Sequence, residues 1–454
     1  MRIKFNQSLF FLITLSHIYA QEIPINFFDS KIYEILHDSG EKWQSNKLFG
    51  SLRFQDLNIF TNSKYVKADS LYSELGGELQ FQNSKLAFNG FGHFIIGKYF
   101  YIYFHPRFEN RKNALTYFSD APVGLSGIGF QNEWITFQIG RGRQLLGAGN
   151  DIQLVISKNA NTYDYGLLSM KLKKVRLQYF HGFLETLDDG TNRYITSRSI
   201  EWSNKKSLLV GISETIIYSG YNRSIDIGYL NPIASHLEVE LNNRLNFHGD
   251  GNANAVWQVS LDWMVNKSMR ISGNYLYDEF VLDPDIQLNK EHGKAYSYKM
   301  VFTPYKNKNS LINIYSSIMH IGTPTFRHGT GSNNFINKNK PLGWKYGSDG
   351  EEINFGVNYF NRRSIIASLE IANVSRGEES INKRYYEPYA DYLKGKFPSG
   401  KVEKTLFYRS ELQFWLKHNL SFISGIQLQE NQNVGNNVSL FIGINIHIFK
   451  NDIL

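Results

Sequence analysis

The 454-residue chain has no cysteine, which excludes a disulfide framework and a lipid-modified N-terminal cysteine alike. Past its first twenty residues, no apolar run approaches the roughly 20 residues that a membrane helix needs. No block of lysine or arginine concentrates the positive charge, so nothing points to nucleic acid as a partner. Stability must therefore come from packing and hydrogen bonds, and any passage through a membrane must use strands.

What is present begins at the N-terminus. Residues 1–20 carry Arg2 and Lys4, continue through LFFLITL and close on Tyr19-Ala20, the layout of a secretory signal peptide cut after Ala20. Its removal takes two positive charges from the formal +8 and leaves 8 − 2 = +6 for residues 21–454, a mild bias. Aromatic residues make up 15% of the chain, with 33 Phe and 28 Tyr. An exported, aromatic-rich chain without a helical span raises the possibility of a transmembrane β-barrel, with a soluble sandwich or β-helix as the alternatives.

Alternation favours the barrel. From Lys98 to Asn110, Phe100, Ile102, Phe104 and Phe108 fall on one parity and Tyr99, Tyr101, Tyr103, His105 and Arg107 on the other, which is a strand with two unlike faces. Leu237, Val239, Leu241, Leu245 and Phe247 likewise alternate with His236, Glu238, Glu240, Asn242, Arg244 and Asn246. Leu440, Ile442, Ile444, Ile446 and Ile448 alternate with Ser439, Asn445 and His447. Such segments recur near 48–60, 76–96, 98–109, 133–141, 165–183, 195–218, 236–247, 255–279, 295–303, 311–320, 352–374, 404–430 and 437–449. Split at their turns they give roughly 16 to 19 strands, each near the length that crosses a bilayer at a tilt. The expected fold is an all-β, antiparallel outer-membrane barrel. Gly443, Ile446 and Ile448 in the last strand resemble the C-terminal signal read by the barrel-insertion machinery, a partner in biogenesis alongside outer-membrane lipid.

From Ser30 to Gln44, Ile32, Ile35 and Leu36 sit at helical spacing with Ser30 placed to cap the start. The expected organisation is thus a signal peptide at 1–20, a periplasmic helical segment at 21–47 and a barrel with long loops at 48–454. Turn-rich loops are expected at 110–127, 142–164, 184–194, 280–294, 321–351 and 375–403, and they carry the function because strands mostly serve the scaffold.

Catalytic and cofactor signatures are missing. There is no GxSxG elbow, HExxH helix or GxxxxGK[ST] loop, and the 12 histidines lack metal-ligand spacing. The reading is a non-enzymatic protein without metal or cofactor. In the loops, Trp344 and Tyr346 offer flat faces for sugar rings, Arg327, Lys338 and Lys345 suit an acidic polymer, and Asn150 with Asp151 suits sugar hydroxyls. For any one of the residues between Arg327 and Tyr346 the simpler reading, a solvated loop with aromatic anchors at the membrane interface, is favoured.

The segment GRGRQLLGAGNDIQLVISKNA resembles the signature of the Wzi family of capsule-assembly outer-membrane proteins. Leu146-Gly147-Ala148-Gly149 stands where that family has Trp-Gly-Pro-Gly, while Leu154, Ile156, Ser157, Asn159 and Ala160 keep the following pattern. IPINFFDSKIYEILHDSG, IGYLNPIASHLEVE with GDGNANAVWQVSLDW, and KPLGWKYGSDGEEINFGVNYF extend the resemblance in the family's order. It implies a barrel of about 18 strands in the outer membrane, periplasmic helices, loops that occlude the pore, and a lectin-like role in attaching capsular or extracellular polysaccharide. A porin or substrate-specific channel is the alternative, its polar pore lined by Glu238, Glu240, Arg244, Arg409 and Glu411. Gly140, Gly142, Gly147 and Gly149 are expected to allow positive φ and close backbone approach in a tight inward turn. Arg141 and Arg143 would hold that turn through lumen carboxylates such as Glu238, Glu240 or Glu411.

Overall fold

The computed structural model describes residues 27–40, 71–82, 85–97, 99–109, 124–132, 134–204, 206–241, 253–279, 291–361, 364–388, 395–417, 419–432 and 435–452. The expected signal peptide at 1–20, the expected strand at 48–60, Arg244 and most of the expected loops at 110–127 and 280–294 lie outside these residues.

The strands run β1 (Leu71–Gln82), β2 (Lys85–Ile96), β3 (Phe100–His105, resumed past Pro106 as Arg107–Glu109), β4 (Leu125–Gln131), β5 (Ile135–Gly142) and β6 (Tyr163–Leu172). They continue as β7 (Val175–Thr186), β8 (Thr191–Ser203), β9 (Leu208–Tyr221), β10 (Ala253–Asn266), β11 (Met269–Glu279) and β12 (Gly293–Lys306). The last six are β13 (Ser310–Ile321), β14 (Gly350–Asn361), β15 (Ile365–Arg376), β16 (Glu403–Lys417), β17 (Leu420–Asn431) and β18 (Gly435–Asp452). Each pairs antiparallel with the next, and β1 pairs with β18, Leu79 opposite Ile444 and Phe81 opposite Ile442, so 18 strands close into one ring. Closure leaves no strand edge to seek a partner.

Alternation decides which side each residue takes. In β3, Phe100, Ile102 and Phe104 face outward while Tyr101, Tyr103 and His105 are buried toward the lumen. There the hydroxyls find partners: Tyr101 donates to Gln138 Oε1 at 2.6 Å, and Gln138 Nε2 donates to Tyr103 at 2.8 Å. In β18, Leu440, Ile442, Ile444 and Ile446 are all exposed outward. An outer wall of exposed aliphatic and aromatic side chains around a polar lumen is the pattern of a barrel solvated by lipid.

Because the strand number is even, both ends of the ring's chain reach the same rim. That rim carries the tight turns, such as those at 173–174 and 307–309, and the opposite rim carries the long connections at 143–162, 222–252, 322–349 and 377–402. The expected loop at 184–194 is instead the ends of β7 and β8 joined by a tight turn, Leu187 N donating to Thr191 O and Gly190 N to Leu187 O. Its Asp188, Asp189 and Gly190 are turn formers, but the strands run up to them.

Three of the long connections fold into the ring. Leu154, Val155 and Ile156 pack with Phe326, Phe335, Leu342, Trp344 and Ile381 and with inward residues of the wall such as Ile195 and Ile217. The main apolar core therefore lies inside the barrel. Helix α1 (Phe27–Asp38) enters from the short-turn rim, where Ile32, Ile35 and Leu36 pack on Leu311, Phe360 and Ile366. It starts before Ser30, so Ser30 falls in its first turn and is not its cap: apolar spacing marks a shared face, not where the backbone first turns. Residues 41–44 of the expected helix lie outside the described residues.

The strand expected at 236–247 is a helix over its described part. Two short helices, α2 (Ile227–Leu230) and α3 (His236–Leu241), lie on the outer surface of the wall, where Tyr229 and Val239 pack with Ile216, Tyr218 and Ala255, residues on the parity of the outward Ile212 and Val259. In α3, Val239 N donates to Ser235 O at 3.1 Å and Glu238 N to Ser235 Oγ at 3.2 Å. Six residues satisfy a period of two and a helical period equally, and Ser235, an N-cap three residues after Pro232, decides the outcome.

Candidate functional site in the lumen

The segment between β5 and β6 turns into the lumen because its glycines allow it. Gly147 and Gly149 have φ of 106° and 74°, a region closed to most side chains. A Cβ on Gly147 would also come within 2.6 Å of Asn274 Oδ1. Gly140 and Gly142 differ from expectation, since neither has positive φ; Gly140 is instead a close approach, its missing Cβ only 2.4 Å from Ser126 O. Asn274 on the inner wall clamps the turn, accepting from Ala148 N at 2.7 Å and donating to Ala148 O and Ile152 O at 3.0 and 3.1 Å. Further on, Ser157 Oγ donates to Gly343 O at 2.6 Å, and Ser157 N donates to Leu342 O at 2.8 Å.

This segment and α1, arriving from opposite rims, meet inside the ring. Asn150 Nδ2 lies 3.0 Å from His37 Nδ1, and Lys158 pairs with Glu34 at 3.4 Å. Lys299 of β12 joins the two, 2.9 Å from Asp38 and 3.0 Å from Asp151. Arg270 reaches the Asp262 carboxylate with one edge and His37 with the other, all buried. Burial is the largest single influence on Asp38 and works against its charge, but Lys299, His37 and Arg270 together outweigh it and hold the carboxyl well below its ordinary range. His37 is also shifted down, first by burial and then by Arg270.

Both shifts predict the same pH response. A group whose pKa falls on folding stabilises the fold above its unfolded value and loses that contribution as pH drops through the folded value. The seating of α1 should weaken below about pH 6.5 through His37 and further below about pH 4 through Asp38. Hydrogen exchange of residues 31–38, corrected for intrinsic rates, should show lower protection at pH 5 than at pH 7. Equal protection would exclude this coupling.

Between α1, the inward segments and the wall of β13 to β16 is a cavity of about 1000 Å³. Its lining carries eleven lysines and arginines against six aspartates and glutamates, a surplus of five positive charges. Arg141, Arg143, Lys158, Lys338, Lys340 and Lys345 all border it, with Tyr346, Tyr385 and the amides of Asn159, Asn161 and Asn382. Lys345 Nζ sits 4.8 Å from the Tyr346 ring centroid and 3.9 Å from Glu352 Oε1, and burial lowers its pKa. Among the described residues no group of His, Asp and Glu is arranged to hold a metal ion.

The residues singled out in sequence divide by place. Asp151, Asn159, Lys345, Tyr346, Arg409 and Glu411 border the cavity, as does Ser157. Asn150 instead joins α1 to the inward turn. Trp344 also borders the cavity, but it is only 2% exposed and its indole N–H donates to Glu352 at 2.6 Å, so little of its face is open to a sugar ring. Arg327 is buried against Glu379, to whose backbone oxygen it donates. The partners expected for the two arginines are also corrected. Arg141 pairs with Asp164 on the neighbouring strand at 3.0 Å, and Arg143 donates to Ala160 O at 2.6 Å. Glu238 and Glu240 stand in α3 outside the wall and cannot line a pore. Lys299 and Lys158 were missed; for Lys299 the available signal was its place on the inward parity opposite Tyr298, Met300 and Phe302.

No protein-family model matches the sequence, and no curated protein aligns with it. The fold is similar to that of Wzi of Escherichia coli, an outer-membrane protein involved in group 1 capsule assembly and a carbohydrate-binding β-barrel, with a TM-score of 0.60 and 12% identity over 84% of each chain. Weaker likenesses to OccK3 and OprD of Pseudomonas aeruginosa have TM-scores of 0.47 and 0.46 at 7% and 8% identity, covering 84% and 86% of this chain and 96% of each of those. At such identities the likeness concerns the fold, that of outer-membrane barrels.

Proposed function

We propose that this barrel stands in the outer membrane, its short-turn rim toward the periplasm, and binds an acidic extracellular or capsular polysaccharide in the lumen cavity to hold it at the cell surface. The observation that carries the reading is the surplus of five cations around a cavity that also offers tyrosine rings and side-chain amides. Carboxylated sugars need charge, flat apolar faces and paired hydrogen bonds together, and Lys345 beside Tyr346 supplies the first two at one point. A bound carboxylate would favour the charged form of Lys345, opposing the effect of burial. The proposed role is non-enzymatic.

A second reading, a channel for small anions, is favoured by the reach of the same cavity from Lys31 of α1 to Lys340 of a long connection. One pair of measurements separates them. In a strain lacking the protein, acidic polysaccharide should shift from the cell-bound fraction to the medium and return on restoration, while the purified barrel is nearly silent in planar bilayers. An unchanged partition together with steady anion-selective conductance would replace the attachment role with the channel.

A further inference from the structure

Among the described residues the outer wall at mid-height is mostly apolar, but a patch on β8 and β9 is charged. In β8 and β9, Ile200 and Ile212 face outward and are each 59% exposed. On the same parity, the next outward pair is Arg198 and Glu214, joined at 3.1 Å and covered by residues 221–239. Both stand near mid-strand, five and six residues from the short-turn rim, or about 13 to 15 Å above it at the usual rise and tilt. That level lies within the apolar band of a barrel.

The covering segment is built inside out. Ile225, Ile227, Leu230, Ile233 and Leu237 are exposed, Ile233 at 89%, and no charged residue is exposed between 221 and 237. Arg223, Asp226 and His236 are all buried. A surface facing water shows the reverse.

Irregular backbone is excluded from hydrocarbon unless its polar groups are satisfied internally. Here the charged patch supplies the partners. Arg198 donates to Tyr229 O at 3.2 Å and Asn231 O at 3.1 Å, and Tyr179 donates to Tyr229 O at 2.9 Å. Glu214 accepts from His236 N at 3.1 Å, Asp226 from Gly228 N at 2.9 Å and Asn231 Oδ1 from Ile233 N at 3.0 Å.

We infer that residues 221–239 form an external strap that dips from the long-connection rim into the bilayer and takes lipid acyl chains on its outer face. The inference rests on the membrane placement proposed above and is independent of the lumen's ligand. Arg198 and Glu214 then serve as the internal hydrogen-bonding partners that let a non-strand segment lie at membrane depth.

The absence of cysteine makes the test direct. Nitroxides would be placed singly by Ile227→Cys and Ile233→Cys in the full barrel reconstituted in phosphatidylcholine vesicles, with Ile200→Cys as the belt reference and Asp188→Cys as the rim reference. At 227 and 233 the ratio of collision rates with oxygen and with a water-soluble nickel chelate should match that at 200 and exceed that at 188 at least five-fold. A ratio like that at 188 would place the strap in water and overturn the inference. Exclusion of both reagents would mean that protein covers the face, a second copy or another chain, and would overturn it equally. Water-like values at 200 as well would refute the membrane placement itself. In an Arg198→Met background, the nickel collision rate at 227 should rise several-fold with 200 unchanged; no rise would refute the role given to Arg198.

Discussion

Gly343→Ala should leave the barrel wall standing while its lumen filling comes apart. A Cβ at this position would lie 1.8 Å from the carbonyl oxygen of Leu154 and 2.9 Å from its carbon. Both are backbone atoms, so no side chain can swing aside, and the two inward segments must separate. The bonds from Ser157 to Leu342 O and Gly343 O would go with them. A forced fit of this kind costs about 3 kcal/mol. Hydrogen exchange should show protection lost at 152–157 and retained in β15 to β18, and the variant should conduct more than the parent in planar bilayers. Unchanged protection at 152–157 would mean that the close approach does not govern the seating.

Arg270→Met should be at least as damaging, for a different reason. Asp262 is fully buried and Arg270 answers it with two nitrogens, while the same guanidinium holds His37 at the end of α1. Removing one partner leaves a charge in a site built for two, which costs about 3 to 5 kcal/mol. Urea unfolding in vesicles followed by tryptophan fluorescence should record a loss of that size, and α1 should become open to protease. In the double variant Arg270→Met, Asp262→Leu no charge is left stranded, so most of the stability should return although α1 stays loose. If the double variant were as unstable as the single one, the loss would belong to packing and not to the ion pair.

How far the sequence carried the fold depended on the range of each interaction. Wherever a strand had lipid on one side and a polar lumen on the other, as at Phe100 to Phe104 or Leu440 to Ile446, side-chain parity alone exposed it. The apolar face of α1 was legible for the same reason, and Gly147 and Gly149 announced an inward turn because few other residues tolerate that backbone. The segment at 236–241 misled because it is too short for its period to discriminate and because its polar residues face a charged patch on the wall. The candidate site was harder to read. Asn150 and His37 are 113 residues apart, Lys299 and Asp151 are 148 apart, and Arg141 took the carboxylate across its own strand pair over any distant one. Nothing local to Lys299 names its partners; they follow only from how the ring is curled. Trp344 and Arg327 show the converse, since a turn-rich composition suggested solvent where the lumen supplied burial.

The wall and its filling also differ in how much chain must be gathered before a contact forms. All neighbouring strands but one pair are joined in sequence order, so hairpins can zip successively with small losses of chain entropy. Contacts of α1 with the wall span 278 residues between Ile35 and Asn313 and more where Ile32, Ile35 and Leu36 meet Phe360 and Ile366, and those cost far more to close. Assembly therefore divides into two events in time, a ring that grows by local steps and a later seating of its contents. Helix α1, which precedes all the strands in the chain, is among the last elements to find its place, and until it does the newly closed ring stands open from the short-turn rim.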